Sequence, residues 1–506
     1  MSTADAPAPG PTAMPGPSRP VHRRLVLTIC CLSVCVTGID LSIVNVALPS
    51  IGKDLHASVS SLQWMVDAYS LVMACLLMLS GSMADRFGRK RIFQLGLSLF
   101  SLSSLVCSLA PAVGWLIAFR ALQAVGGSML NPVALSIIVS VFTDRGERAR
   151  AIGVWGSAIG ITIAAGPVLG GLLVSGVGWR SVFWVNVPIG IAAILLTRRF
   201  IPESKADRAR AFDLPGQALI IVLFASIIAA TNEGPRQGWA DPWIIGLFAL
   251  AALALVAILV IELRRSEPLI DLRFFRSPPF SGANTISVVM SASLGGFLFL
   301  NTLYLQDTRH LSPLHAGLMV IPLAASQAVA ANRSGRLLAS RGARLPLALG
   351  GALLAIGGFL LVPLTVHTNS VYLLAAYAIF GLGVGMISPS ITNTAVSGLP
   401  PDQVGVAGAL AASARQFGSS IGVAVTGSIV ATTGAGAGFI NSSHAAWAVL
   451  GTGGLVALAL GVISTSNWAK AAATRNGQRL ATAPIPESQD RPLPSRSADP
   501  AEARRD

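Results

Sequence analysis

Apolar residues in this chain come in long runs of about twenty, separated by short polar connections. At 1.5 Å rise per residue, a helix of that length crosses the roughly 30 Å hydrocarbon core of a bilayer. Such runs fall near 25–51, 62–82, 92–110, 113–140, 151–175, 181–197, 215–231, 242–262, 282–304, 313–332, 345–366, 371–395, 405–432 and 444–466. The pattern predicts fourteen transmembrane helices.

Both ends of the chain fall outside this pattern. The opening "MSTADAPAPGPTAMPGPSRP" has neither an apolar core nor a cleavage pattern, so it reads as a disordered leader, with the first run as insertion signal. The segment from about 468 is polar and Pro-rich, and reads as a second disordered end.

A weak repeat divides the runs. "GSMADRFGRKRI" (81–92) follows the second run and "SGRLLASRGARL" (334–345) the tenth. Gly81 and Gly88 are matched by Gly335 and Gly342 at the same spacing, while Ala339 stands where the first copy has Asp85. The trace of duplication pairs runs 1–6 with 9–14 and leaves 7 and 8 as an insertion. Two parallel six-helix repeats form a transporter architecture, with a binding site expected near the midplane between them. The expected divisions are a leader 1–24, a six-helix bundle 25–200, two additional helices within 201–281, a second bundle 282–466 and a tail 467–506.

Composition agrees with an all-α integral membrane protein. Of 506 residues 53% are hydrophobic and 11% charged, with mean hydropathy +0.67, against about 25% charged in soluble domains. The net charge of +14 would suggest nucleic acid in a soluble protein, but here it is read loop by loop. With the N-terminus in the cytoplasm, 30 Lys and Arg fall on the cytoplasmic side; only Lys53, Arg180, Arg236 and Arg309 fall outside. Both termini are therefore expected to be cytoplasmic, with no nucleic-acid partner. Seven of nine Trp lie near the outer ends of runs, as an interfacial belt requires. The five Cys lie in or at the edge of runs, which suggests neither disulfides nor a metal site. No phosphate-binding glycine loop ending in Gly-Lys-Ser/Thr is present, which argues against ATP as direct energy source, and no cofactor is expected. All six His lie in tails, loops or run ends, away from any relay at mid-membrane.

Charges inside runs carry the chemistry, because each costs about 2.5–3.5 kcal/mol or more at a helix centre. Four remain: Asp40, Asp67, Arg120 and Arg415. Asp40 is about 16 Å below the outer end of its run and Arg120 about 10 Å below the end of its own, so the two can meet in the outer half. Asp40 shares a helix face with Ser33 and Thr37. Burial favours the protonated acid and a neighbouring guanidinium the ionised one; such a group can gain and lose a proton, or it can be a structural pair locking two helices. Asp67 is about five residues from the outer surface. It is either solvated at a funnel mouth or a vestibule acid that focuses cationic substrates. Arg415 begins its run near the cytoplasm, where it can snorkel.

Two further motifs are conformational. Gly81 and Gly88 are placed where a short loop reverses, and Asp85, Arg86, Arg89 and Lys90 can form a charge relay with a neighbouring helix end. In the fifth run Gly153, Ser157, Gly160, Ala164, Pro167 and Gly171 share one face. Small residues allow close helix contact, proline adds a kink, and the seam is either tight packing or a bending joint.

Together these pieces resemble the major facilitator superfamily, specifically its fourteen-span drug:proton antiporter family, over roughly 22–466. "GIDLSIVNVALP" (38–49) resembles the first-span motif, which implies proton or drug coupling for Asp40. "GSMADRFGRKR" is similar to the loop motif between spans 2 and 3, implying conformational gating by Gly81, Asp85, Arg86, Gly88 and Arg89. "FRALQAVGG" (119–127) resembles the span-4 motif, with Ala124 for the usual glycine, and implies proton transfer through Arg120 and Gln123. "AAGPVLGG" resembles the span-5 antiporter motif of exporters, carried by Gly166, Pro167, Gly170 and Gly171, with Thr162 at a common glycine position. "GWRSVFWVNVPIG" (178–190), "YLQ" (304–306), "SPLHAGL" (312–318) and "ARQFGSSIGVA" (414–424) complete the pattern.

The resemblance implies a major facilitator fold and no enzymatic activity. It further implies export of hydrophobic or amphipathic drugs and antibiotics across the cell membrane, driven by proton antiport and conferring resistance. Expected cavity residues are Asp40, Asp67, Arg120, Gln123, Asn131, Tyr304 and Gln327. The expected partners are a small-molecule drug, protons and the lipid bilayer; the sequence leaves the oligomeric state open, a monomer included. Alternatives are a dedicated exporter of one metabolite or self-made antibiotic and a proton-coupled importer, which would lack "GPVLGG". A membrane-embedded enzyme or receptor is opposed by the absence of clustered catalytic His, a metal-ligand set or a soluble catalytic domain.

Overall fold

The computed structural model describes residues 22–205, 213–264, 272–396, 404–431 and 437–482. Nearly all of the leader expected at 1–24, and the end of the expected tail, lie outside these residues.

All regular structure among the described residues is helical. The first half comprises α1 (Arg23–Asp54), α2 (Val59–Phe87), α3 (Arg89–Ser108), α4 (Val113–Val141), α5 (Arg145–Gly176), α6 (Ser181–Trp184) and α7 (Asn186–Phe200). An inserted hairpin follows, α8 (Leu214–Gln237) and α9 (Pro242–Arg264), and then a 3₁₀ turn at Leu272–Arg276. The second half comprises α10 (Pro278–Leu303), extended by a π-helical turn at Tyr304–Thr308, then α11 (Pro313–Met319), α12 (Ile321–Arg341), α13 (Arg344–Leu360), α14 (Ser370–Val396), α15 (Val404–Val430) and α16 (Ala437–Ser464). A final helix, α17, spans Asn467–Thr482.

Eleven of the described helical segments are long and apolar enough to cross a bilayer. The other three expected spans fall on α5, α13 and α15. Of these, α13 has only 17 residues. Helices α5 and α15 are rich in Gly, Ala and Ser, residues that allow close helix packing.

Local signals set the helix starts. Ser58 accepts from the Ser61 N–H at 3.2 Å, Asp144 from Glu147 at 2.8 Å and Asp213 from Gly216 at 2.8 Å; such caps stabilise a helix start by about 0.5–2 kcal/mol. Proline occupies the first positions of α10 and α11, where its missing N–H costs nothing.

The duplication is visible in the packing. In the first half the close pairs are α1 with α5, α2 with α4, α3 with α4, α3 with α7 and α1 with α7. The corresponding pairs of the second half are α10 with α15, α12 with α14, α13 with α14, α13 with α16 and α10 with α16. The halves meet through α2 against α15 and α5 against α11, and α8 lies along both α2 and α15. The insertion thus straddles the seam.

The repeat glycines play two roles. Gly88 (φ 109°) and Gly342 (φ 74°) close α2 and α12 in backbone conformations that side chains disfavour. Gly81 and Gly335 lie inside those helices rather than in a turn, so of the two glycines expected at the reversal, Gly81 and Gly88, Gly88 alone is at it. The described part of the tail also departs from expectation, because Asn467–Thr482 is helical. It buries Ala469 and Ala473, and Asn476 donates to the Arg273 carbonyl at 3.0 Å, so a sparse small-residue face suffices to dock it.

Two faces of the molecule are defined by contacts at the helix ends. One carries the start of α1, where Arg23 pairs with Glu147 at 2.7 Å, and the turn after α2. The opposite face carries Asp54, which accepts from Trp179 at 2.9 Å and Arg180 at 2.7 Å. The connections between the halves lie toward this opposite face. Gln306 donates to the Val46 carbonyl at 2.8 Å, Lys53 approaches Asp307 at 3.6 Å, and Gln63 donates to the Ala424 carbonyl at 3.1 Å.

Candidate functional site

Asp40 and Arg120 meet as their depths predict. Arg120 Nη1 donates to Asp40 Oδ2 at 2.6 Å, and both side chains are almost wholly buried, at 1% and 0% exposure. Gln123, one turn along α4, donates to Asp40 Oδ1 at 2.9 Å and accepts from Arg120 Nη1 at 2.8 Å. The guanidinium lies over the Tyr69 ring, 4.1 Å from its centroid, which adds a cation–π contact away from water.

A fourth member was missed by the sequence reading. Asn186, the first residue of α7, donates to Asp40 Oδ1 at 2.8 Å and to Ser104 Oγ at 3.1 Å, and Ser104 donates to the Phe183 carbonyl at 2.9 Å. Asn186 lies in the sixth run, a helical segment from Ser181 to Phe200 in which Val185 is itself in helical conformation. The available signal was a polar amide inside the apolar "FWVNVPIG". Ser33 and Thr37, which share the face of Asp40, are buried but bond to carbonyls of their own helix.

A buried carboxylate with three donors and one full counter-charge satisfies the requirement that buried ions be paired and hydrogen-bonded. Protonation of Asp40 would change that arrangement most: the acceptor of three donors becomes a neutral acid, and Arg120 is left buried without a counter-ion. Removing one partner of a buried pair costs about 3–5 kcal/mol. The carboxylate thus ties together three helices, α1, α4 and α7.

The glycines of "AAGPVLGG", on α5, pack against the same helix α1. A Cβ at Gly166 would collide with Ser42, and one at Gly170 would stand 3.3 Å from Ile43 Cα. On the other side a Cβ at Gly171 would stand 2.7 Å from Leu314 Cα, and Pro167 packs against Gly317. The motif is thus wedged between α1 and α11, which belong to opposite halves. Gly38 similarly packs against Thr162, the residue standing in place of a further glycine.

The turn motif forms a network within the first half. Arg89 donates to Asp85 at 2.9 Å, and its backbone N–H donates to the Ser204 carbonyl at 2.9 Å. Glu203, not singled out in the sequence, accepts from the Lys90 N–H at 3.1 Å and approaches Arg91 at 3.7 Å. The neighbouring helix end is that of α7, where the Arg198 carbonyl accepts from Lys90 Nζ at 2.9 Å. Arg86 lies with its guanidinium 6.0 Å from the Phe87 ring centroid.

The other expected cavity residues are not brought to Asp40. Asp67 is 0% exposed rather than solvated at a mouth: Asn232 of α8 donates to its Oδ2 at 2.9 Å, because the inserted helix covers this stretch of α2. Asn232 Oδ1 in turn accepts from Gln63 at 3.4 Å, and Trp64 donates to Glu233 at 2.8 Å. Tyr304 is fully buried in the second half, its hydroxyl donating to the Thr365 carbonyl at 2.7 Å. Asn131 on α4 and Gln327 on α12 are half-buried, each with an amide oxygen that has no hydrogen-bond partner among the described residues. Asp67 Oδ1 is likewise without a partner among the described residues. No group of three or more potential metal ligands occurs among the described residues.

Comparison with known proteins gives a consistent result. The model of the Major Facilitator Superfamily matches residues 30–423. The chain is 36% identical over 413 residues to the multidrug resistance protein Stp of Mycobacterium tuberculosis, covering 81% of this chain and 77% of that protein. It is 34% identical over 430 residues to the tetracenomycin C resistance and export protein of Streptomyces glaucescens, covering 85% and 78%. With the puromycin resistance protein pur8 of Streptomyces alboniger it shares 36% identity over 406 residues, covering 79% and 80%. Among solved structures it is similar in fold to a bacterial homologue of the lysosomal transporter Spinster in an inward-facing, unoccupied conformation (TM-score 0.59, 19% identity, 91% of this chain and 98% of that one). It is likewise similar to a peptide transporter POT (TM-score 0.64, 16% identity, 89% and 95%).

Proposed function

The chain belongs to the major facilitator superfamily, and from that premise we propose that it exports hydrophobic or amphipathic drugs and antibiotics in exchange for protons. Relatives named for multidrug resistance, for tetracenomycin C resistance and export and for puromycin resistance support drug efflux. The observation that carries proton exchange is the buried Asp40 with Arg120, Gln123 and Asn186 around it.

In this reading the multi-pass chain spans the cell membrane fourteen times, with residues 25–200 and 282–466 as the two halves. Both termini and the face bearing Arg23 and the Asp85–Arg89 turn are cytoplasmic. Polar contacts of Gln306, Lys53 and Gln63 join the halves toward the outer face, and in this reading that arrangement is the inward-facing state. Drug enters from the cytoplasm or inner leaflet while Asp40 is ionised and held by its three donors. Reorientation exposes the site outward, Asp40 takes a proton, and loss of its bond to Arg120 loosens α1 from α4 and α7. The antiporter motif carries that change from α1 to α11, and drug release follows. Asp85, Arg86, Gly88 and Arg89 hold the cytoplasmic turn through the cycle, while Asn131 and Gln327 line the drug path. A potential of 100 mV contributes about 2.3 kcal/mol per charge moved, comparable to the cost of unpairing Arg120.

Inverted vesicles carrying a proton gradient test the reading with ethidium as substrate. Uptake by the wild type that is collapsed by an uncoupler and lost in Asp40→Asn is the expected result; normal transport by Asp40→Asn would make the carboxylate a structural partner of Arg120. A second reading, a dedicated exporter of one self-made antibiotic, draws support from relatives named for single compounds. It predicts that ethidium is refused while one antibiotic is carried.

A further inference from the structure

A cavity of about 360 Å³ lies between the inserted hairpin and the seam where α2 of the first half faces α15 of the second. Ligand pockets usually measure about 300–1,000 Å³. Its walls are apolar, with Cys75 and Met78 from α2, Ile220 and Phe224 from α8, Leu259 from α9 and Phe275 from the 3₁₀ turn. The Gln217 amide on the wall is engaged with the Cys75 carbonyl.

Three of the lining side chains show where the cavity opens. Leu255, Leu259 and Phe275 are 47%, 41% and 43% exposed, on the lipid-facing surface of α9 and the adjoining turn. The lining residues come from the beginning of α8, the end of α9 and the beginning of α15, so the opening is at the depth of the leaflet on the Arg23 side. An opening into hydrocarbon is met by acyl chains rather than water, and filling it restores dispersion contacts that the void lacks.

Charge at the mouth selects among lipids. Arg273 and Arg276 flank Phe275 on the same turn and are exposed, as is Arg264 at the end of α9. The nearby acids Asp213 and Glu262 are buried, and they and Arg273 each make a further contact within the protein, while Arg273 keeps an exposed side chain beside Arg276.

We propose that this cavity is a lipid site. An anionic phospholipid seats one acyl chain between α8, α9, α2 and α15 and sets its phosphate against Arg273 and Arg276. Because α2 and α15 belong to opposite halves, their approach at this face would close the cavity. The lipid therefore stabilises the conformation described here, as any ligand favours the state that binds it.

The test uses the full-length protein in phosphatidylcholine nanodiscs doped with phosphatidylglycerol bearing a diazirine on its acyl chain. Irradiation and peptide mapping should place adducts on 217–224, 255–259 and 410–413. Leu259→Trp, which fills the cavity, should remove them. Arg273→Gln with Arg276→Gln leaves the apolar walls intact and should lower labelling about five- to thirtyfold. A phosphatidylcholine probe should label these segments weakly. Adducts spread evenly over α9 and unchanged in both variants would overturn the proposal, as would equal labelling by the two headgroups. Displacement of the lipid probe by ethidium would overturn it by making the cavity a substrate site.

Discussion

Asn186 and Asp40 are joined across 2.8 Å, an amide from the start of α7 donating to the same carboxylate oxygen that Gln123 holds. The contact ties the last helix of the first half to the first. A hydrogen bond to a charged group is worth about 1.5–3 kcal/mol, and about 1.4 kcal/mol is tenfold in rate or equilibrium. Asn186→Leu is therefore expected to slow proton-driven dye uptake by about ten- to a hundredfold while membrane insertion persists. Initial rates in inverted vesicles, normalised to protein, decide it; wild-type rates would reduce Asn186 to packing.

Arg120 makes contacts that a lysine cannot reproduce. Its planar guanidinium lies over Tyr69 while one nitrogen serves both Asp40 and Gln123. An ammonium is a point charge without that plane. Arg120→Lys keeps the charge and should still lose most transport. Substrate binding measured by dye fluorescence at fixed pH should change less than turnover. Full turnover in the lysine variant would show that charge alone is needed.

The pairing of Asp40 with Arg120 was legible because two opposite charges at matching depths in an apolar medium have few other partners. Asn186 was not, because a neutral amide in an apolar run gives no charge signal. Asp67 was misplaced for a related reason. Its exposure depended on α8, whose position against the seam is not written in its own hydrophobicity. The duplicated turn was legible in outline, since Gly88 and Gly342 require positive φ, whereas nothing in the spacing distinguished them from Gly81 and Gly335 inside the helices. The tail helix escaped notice because its docking face is only a few small residues wide.

The Asp67–Asn232 bond anchors the inserted hairpin. Asn232→Leu leaves a buried carboxylate without its donor, a loss of about 1–3 kcal/mol, and should lower the thermal unfolding midpoint in detergent. Asp67→Leu combined with Asn232→Leu removes both groups and should recover much of that loss. A double-mutant cycle reads the coupling, expected at about 0.5–3 kcal/mol for groups in contact. Additive effects would mean that the two side chains act independently.

Gly171 and Gly81 separate packing in this conformation from packing in another. A methyl at Gly171 would stand 2.6 Å from the Pro313 carbonyl oxygen and 2.7 Å from Leu314 Cα, both backbone atoms of the opposite half. Overpacking of this kind costs about 1–3 kcal/mol, and here it falls on the contact between α5 and α11. Gly171→Ala should therefore part the halves at the Asp54 face, which spin labels on α5 and α11 would report as a longer distance. Around Gly81 a methyl would meet nothing within 4 Å. Alanine in a helix interior is favoured over glycine by about 0.5–1 kcal/mol, so Gly81→Ala should leave the label distance unchanged and the unfolding midpoint equal or higher. If Gly81→Ala nevertheless abolishes transport, the close approach that requires this glycine belongs to the alternative conformation, in which the Arg23 face is shut. Wild-type transport by Gly81→Ala would instead remove the glycine from the gating motif and leave its function to Asp85, Gly88 and Arg89.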